Sequence, residues 1–188
     1  MELTLNMIRA KSPCHDGWTK LLKHLGKSGG DDEPLDLLTV LAINGLGDAL
    51  WVLDRTGCNP RLARHFSAWC AEQVLPLFEA ARPGDTRPRD AIVVALDDSA
   101  TDGERAAAGT AARAAAWDAA RDAAWDAARD AAGSDTRDAA WAAAWVAAGA
   151  AAGVAAGSDT RVAARAAAGA ASWDAQTAQL RKMLVEGF

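Results

Sequence analysis

Residues 115–130 read AAWDAARDAAWDAARD, with Ala-Ala alternating with Trp-Asp or Arg-Asp, and the third position of the tetrad stays Trp, Arg or Gly in register from Trp117 to Trp173. Alanine has the highest intrinsic helix propensity, so the stretch predicts helix. A four-residue step overshoots the 3.6-residue turn by about 40°, so the third-position side chains spiral round the helix and cannot all face one way. A longer period is marked by Gly109-Thr-Ala-Ala-Arg113, Gly133-Ser-Asp-Thr-Arg137 and Gly157-Ser-Asp-Thr-Arg161, which start 24 residues apart. Gly133 and Gly157 suit the position just past a helix, and Ser134 or Asp135 and Ser158 or Asp159 suit the next N-cap. Three antiparallel helices of about 20 residues, each about 30 Å long, are the predicted outcome. One continuous helix through one or both glycine turns is the rival. Trp, Arg and Gly codons can differ in the first base alone, so slippage in a GC-rich repeat would write this pattern under loose selection.

Upstream, residues 1–100 read as amphipathic helices with clear punctuation. Ser12-Pro13 predicts a helix start, with Trp18, Leu21, Leu22 and Leu25 leading to a stop at Gly26. Pro34 opens a second helix with Leu35, Leu38, Leu41 and Ala42 inward, ending near Asn44-Gly45. A short helix from about Leu46 to Arg55 follows, with Ala49, Leu50 and Leu53 on one face. Asn59-Pro60 starts a long helix through Phe66, Trp69, Cys70, Val74, Leu77 and Phe78, with a kink expected at Pro76. A turn over residues 82–87 precedes a helix from Pro88 through Ile92, Val93 and Leu96. No stretch alternates apolar and polar long enough for a sheet. The expected fold is all-α: a multi-helix bundle of at least seven helices without β-sheet. Residues 101–188 would form an Ala-rich helical repeat region packed on residues 1–100, together one domain.

The chain has 188 residues with 20 basic and 25 acidic side chains, a net charge of −5. Arginines interleave with the aspartates, which suits neither a nucleic-acid binder nor a strong DNA mimic. Cys14, Cys58 and Cys70 are three in number without a CxxC pair and read as free thiols of a reducing, cytoplasmic compartment. Cys70, inside a helical pattern, reads as a small core residue. The charge-free run Ala139–Ser158 is long enough to span a bilayer, but Ala and Gly dominate it, and a close-packed helix is the better reading.

Enzyme chemistry finds no support. His15, His24 and His65 show neither HxxxH nor HExxH spacing, so neither a metal nor another cofactor is signalled. Phosphate-loop and nucleophile-elbow motifs are missing as well. Arg61, Arg64, His65 and Glu72, with Arg87, Arg89 and Asp90, read as a structural network of arginines tying helices together through carboxylates and carbonyls.

The candidate partner-binding residues are Trp117, Asp118, Arg121, Asp122, Trp125, Asp126, Arg129 and Asp130. Residues four apart are helix neighbours, so guanidinium groups can lie against indoles, and Trp and Arg are the residue types enriched in interface hot spots. The plainer reading makes the tryptophans a cover for the bundle and the charges a solvated face. The drift of the tetrad predicts a split, with one of Trp117 and Trp125 buried and the other on the surface.

Three segments carry a family resemblance: LNMIRAKSPCHDGWTKLLKHLG at Leu5–Gly26, NGLGDALWVL at Asn44–Leu53, and ARHFSAWCAEQVLPLFE at Ala63–Glu79 leading into TRPRDAI at Thr86–Ile92. Together with the Ala-rich tail ending QTAQLRKML, they resemble a bacterial immunity protein family associated with polymorphic toxin systems. Gly47 stands where that pattern leads one to expect an acidic residue before Asp48. The resemblance implies an all-α protein that neutralises a toxin or effector by stoichiometric binding, and the charge balance and the Ala/Gly character of the charge-free run add the expectation of neither a nucleic-acid nor a membrane partner. A phage or mobile-element inhibitor of a host defence complex is the alternative within the same class. A scaffolding protein whose Ala-rich repeat is a spacer or self-association surface is the alternative from another class, and homo-oligomerisation stays open.

Overall fold

The computed structural model describes residues 2–129 and 173–187, with side chains in the alanine-rich helix followed as far as Asp122, Ala120 apart. Among these residues there are eight helices and no sheet. They are α1 (Leu5–Arg9), α2 (His15–Leu25), α3 (Leu37–Asn44), α4 (Leu46–Thr56), α5 (Pro60–Ala81), α6 (Arg87–Leu96), α7 (Asp102–Arg129) and α8 (Trp173–Glu186). The all-α expectation is therefore met, with Thr4 and Pro34 forming one isolated antiparallel bridge. The chain divides into two compact units, Met1–Ala63 with Trp173–Phe188 and Arg64–Ser172.

In the first unit the backbone at Leu3 and Asn6 is tied to the 31–35 loop, with Leu35 N donating to Leu3 O at 2.8 Å and Asn6 N to Asp31 O at 3.0 Å. Thr4 then caps α1, its Oγ1 accepting from Met7 N at 3.2 Å. This short helix is additional to the sequence reading. Helix α2 starts at His15 with Cys14 in the N-cap position, and Ser12 takes a left-handed φ of 56°. Ser12-Pro13 thus lies in the connection between α1 and α2 and is not the cap-plus-proline start expected of it. The predicted stop at Gly26 is correct: its φ of 66° is left-handed, the conformation glycine adopts without a Cβ clash. Pro34 does not open α3, which begins at Leu37 under an Asp36 cap that accepts from Leu38 N at 2.9 Å. The register changes with the start. Leu37, Val40 and Leu41 are buried, Leu35 and Leu38 only partly, and Ala42 is exposed.

Helix α4 buries Leu46, Ala49, Leu50, Val52 and Leu53, which includes the face expected from its spacing. Helix α2 packs on α3, α3 on α4, α1 on α4, and α8 on both α3 and α4. Helix α8 presents Gln176, Leu180 and Met183 inward at helical spacing. One polar joint crosses this apolar packing. Asn44 Nδ2 donates to Gly17 O at 2.9 Å and to Asp48 Oδ2 at 2.8 Å. A Cβ at position 17 would lie 2.6 Å from that carboxylate oxygen, so the close approach of α2 to Asp48 needs glycine there.

In the second unit, α5 runs unbroken through Pro76 and buries Phe66, Cys70, Val74 and Phe78 at four-residue intervals. Its start matches the Asn59-Pro60 reading, with Asn59 Oδ1 accepting from Leu62 N at 2.9 Å. Leu77 (59% exposed), Val93 (61%) and Leu96 lie on the surface. Burial on α6 falls to Pro88, Ala91, Ile92 and Ala95. Helix α7 packs on α6 and starts at Asp102, seven positions before the Gly109 repeat marker. Its beginning is a reciprocal capping box: Glu104 N donates to Thr101 Oγ1 at 3.2 Å, and Thr101 N donates to Glu104 Oε2 at 2.7 Å. Gly109 is buried within the helix. The expected turns at Gly133 and Gly157, and the run Ala139–Ser158, lie outside the described residues.

Candidate functional site

The buried side of α7 is made of small residues. Ala112 packs with Ala91 and Ala108, and Ala115 and Ala119 pack with Phe78. Alanine and glycine bury little area per residue, so apolar contact alone fastens this helix weakly. Ion pairs add to it. Arg82 Nη2 donates to Asp118 O at 3.1 Å and forms a salt bridge with Asp122. Arg87 pairs with Asp85 at 2.7 Å and with Asp118 at 3.3 Å. The hydrogen bond from Arg87 holds the Asp85 carboxyl below its ordinary range, and the same bond raises the guanidinium.

Two of the candidate binding residues, Asp118 and Asp122, are thus engaged with arginines of the α5–α6 turn. Arg121 keeps looser contacts with them, 3.7 Å to Asp118 and 4.0 Å to Asp122, the first at the expected three-residue spacing. Trp117 faces away from the alanines that dock α7 and is 60% exposed. Trp125, Asp126 and Arg129 continue the helical backbone, but their side chains lie outside the described residues, as does Asp130 altogether. Trp117 is thus on the surface, and the burial of Trp125, on which the expected split depends, lies outside the described residues.

The second arginine cluster is held internally. Arg64 Nε donates to Ala95 O at 3.3 Å, and its Nη2 lies 2.6 Å from Asp98 Oδ1, which also meets His65 Nε2 at 3.3 Å. Arg89 grips Glu79 through two hydrogen bonds of 2.8 Å. These contacts match the network reading of Arg64, Arg87 and Arg89, while Asp98, Glu79, Asp85 and Arg82 enter it without having been singled out. Phe66 and Trp69 stack with ring centroids 6.1 Å apart.

Cys70 is buried on α5, and loss of solvation pushes its thiol up to about 12, the behaviour of a core residue and not of a nucleophile. Among the described residues no cluster of His, Cys, Asp and Glu could hold a metal ion, and no helix is long and apolar enough to cross a membrane. The arrangement on α7 offers recognition by an exposed indole beside guanidinium groups. Comparisons with protein-family models, curated proteins and solved structures give no match to this chain.

Proposed function

We propose that the protein is a non-enzymatic, cytoplasmic binding protein that neutralises a toxin or effector by stoichiometric association, as an immunity-type inhibitor does. The observation that carries this reading is Trp117. A large aromatic ring stands 60% exposed between Arg113 and Arg121 on the outward face of α7, away from the alanines that dock the helix. Trp and Arg are the side chains that interface hot spots favour, and an indole left in water is an unsatisfied apolar surface. The Leu5–Gly26, Asn44–Leu53 and Ala63–Glu79 resemblance supplies the class of partner.

The test is co-expression with the product of each neighbouring gene, a toxic product being the expected partner. The wild-type chain should restore growth and form a complex of fixed stoichiometry, and Trp117→Ala should lose protection while its melting temperature is held. Full protection by Trp117→Ala would remove α7 from the interface. Protection at strongly substoichiometric levels would remove the stoichiometric mechanism.

A further inference from the structure

We infer that the outward face of α7 is built for an acidic protein surface. The inference rests on α7 being the partner-binding face and adds the chemistry of what it binds. Helical geometry divides the side chains of α7 by angle, at about 100° per residue. Arg113 and Arg121 lie about 40° to either side of Trp117, whereas Ala112, Ala115 and Ala119, which dock the helix, lie about 140–160° away. Asp118 and Asp122 fall about 100–140° round on one flank, where Arg87 and Arg82 meet them.

The helix has therefore sorted its charges. From Ala106 to Asp122 its carboxylates, Asp118 and Asp122, meet Arg87 and Arg82, and among the described side chains of that stretch the outward sector carries only Arg113 and Arg121 as charged groups. Between and beside them stand Trp117, Thr110, Ala106 and Ala114, all exposed. No described carboxylate is within ion-pair reach of Arg113, and the nearest to Arg121 is the 3.7 Å contact with Asp118, whose other oxygen is with Arg87. The local face is cationic although the chain is net −5. At physiological ionic strength screening acts over about 8 Å, so a carboxylate brought to this face responds to the two guanidinium groups more than to the whole molecule.

The two arginines are eight positions apart, about 12 Å along the axis. That spacing suits separate carboxylates, each able to take two parallel hydrogen bonds, with an apolar group against the indole between them. A nucleic acid fits less well. Its phosphates form a continuous track that calls for a run of basic side chains, and here the outward arginines among the described side chains are two, about 12 Å apart.

The probes are a labelled Glu/Ala-rich helical peptide, its Lys/Ala-rich counterpart, and a single-stranded oligothymidylate, with binding to the full chain read by fluorescence anisotropy at low and physiological salt. The Glu-rich peptide should bind in preference to the Lys-rich one. Its affinity should fall about tenfold in the double variant Arg113→Glu/Arg121→Glu, a change of about 1.4 kcal/mol, and that variant should prefer the Lys-rich peptide instead. Arg113→Gln/Arg121→Gln should give an intermediate loss and keep the wild-type melting temperature because both side chains are exposed. Equal binding of the two peptides, or unchanged preference after charge reversal, would overturn the proposal. Oligothymidylate bound as tightly as the Glu-rich peptide, with the same arginine dependence, would overturn it too. If Trp117→Ala abolishes protection from the toxin while charge reversal leaves it intact, the partner face stands and the acidic partner falls. If charge reversal switches peptide preference but neither variant alters protection, the charge selectivity stands and the toxin-binding reading falls.

Discussion

The first unit and helix α7 both bury one side of each helix, but with different materials. Helices α1, α3 and α4 bring Leu5, Ile8, Leu37, Val40, Leu41, Leu50 and Leu53 inside, branched side chains that each remove a large apolar area from water. Helix α7 brings Gly109, Ala112, Ala115, Ala116 and Ala119, and adds the Arg82 and Arg87 ion pairs to what those small contacts supply. The two kinds of docking fail differently. A leucine core is weakened by taking atoms away, and an alanine face by adding them or by removing charge.

The largest effect should come from the first unit. Leu50 is 1% exposed on α4, and Leu50→Ala should cost about 2–5 kcal/mol in urea unfolding, through lost burial and the cavity left behind. A loss below about 1 kcal/mol would mean that the site collapses around the smaller side chain, and the contrast with α7 would weaken. In the second unit, enlargement is the sensitive change. Ala112 is fully buried against Ala91 and Ala108, so Ala112→Leu should cost about 1–3 kcal/mol by overpacking. A neutral or stabilising result, despite leucine's good helix propensity, would show that α7 can shift outward on α6 without penalty.

The ion pairs should contribute less. Arg87 is more than a third exposed, so solvent screening keeps its contribution below about 1 kcal/mol, and Arg87→Gln should lose no more than that. The pH dependence has a definite sign. The Asp85 carboxyl lies below its ordinary range in the folded state, chiefly through the hydrogen bond from Arg87. Its stabilisation is therefore complete above the unfolded carboxylate range near pH 4 and fades as pH falls through the folded value. Urea midpoints taken from about pH 6 to pH 3 should drop more steeply for the wild type than for Arg87→Gln. Parallel slopes would show that this pair does not link pH to stability.

These same contrasts explain what was legible beforehand. Helix stops and long periodic runs were local signals: Gly26, Asn59-Pro60 and the Ala49/Leu50/Leu53 face were readable because each rests on residues within one or two turns. Starts marked only by a proline were less secure. Ser12-Pro13 lies in the connection between α1 and α2, Pro34 forms the isolated bridge with Thr4, and the side-chain caps that mark α1 and α3 are Thr4 and Asp36. The true start of α7 was in the sequence as Thr101-Asp-Gly-Glu104, a capping-box pattern that the glycine period at Gly109 overshadowed. The candidate site was half legible. The drift of the tetrad left open which tryptophan is exposed, and the engagement of Asp118 and Asp122 depends on Arg82 and Arg87. Those partners are 31 and 40 residues away in the chain, beyond any helical period.

The smallest expected effect on stability carries the most about function. Trp117→Ala removes the largest side chain type in the protein, and in a core that truncation would cost about 3–5 kcal/mol. Here the ring is 60% exposed, opposite the alanines that dock α7, and alanine is the better helix former. The lost contacts and the gained propensity should nearly offset, leaving a stability change within about 0.5 kcal/mol. Thermal unfolding checks this directly, and a loss above about 2 kcal/mol would put Trp117 in a packed environment and disqualify it as a partner-facing residue. With stability unchanged, any loss of protection or peptide binding in the same variant belongs to recognition, because the scaffold presenting Arg113 and Arg121 is still in place.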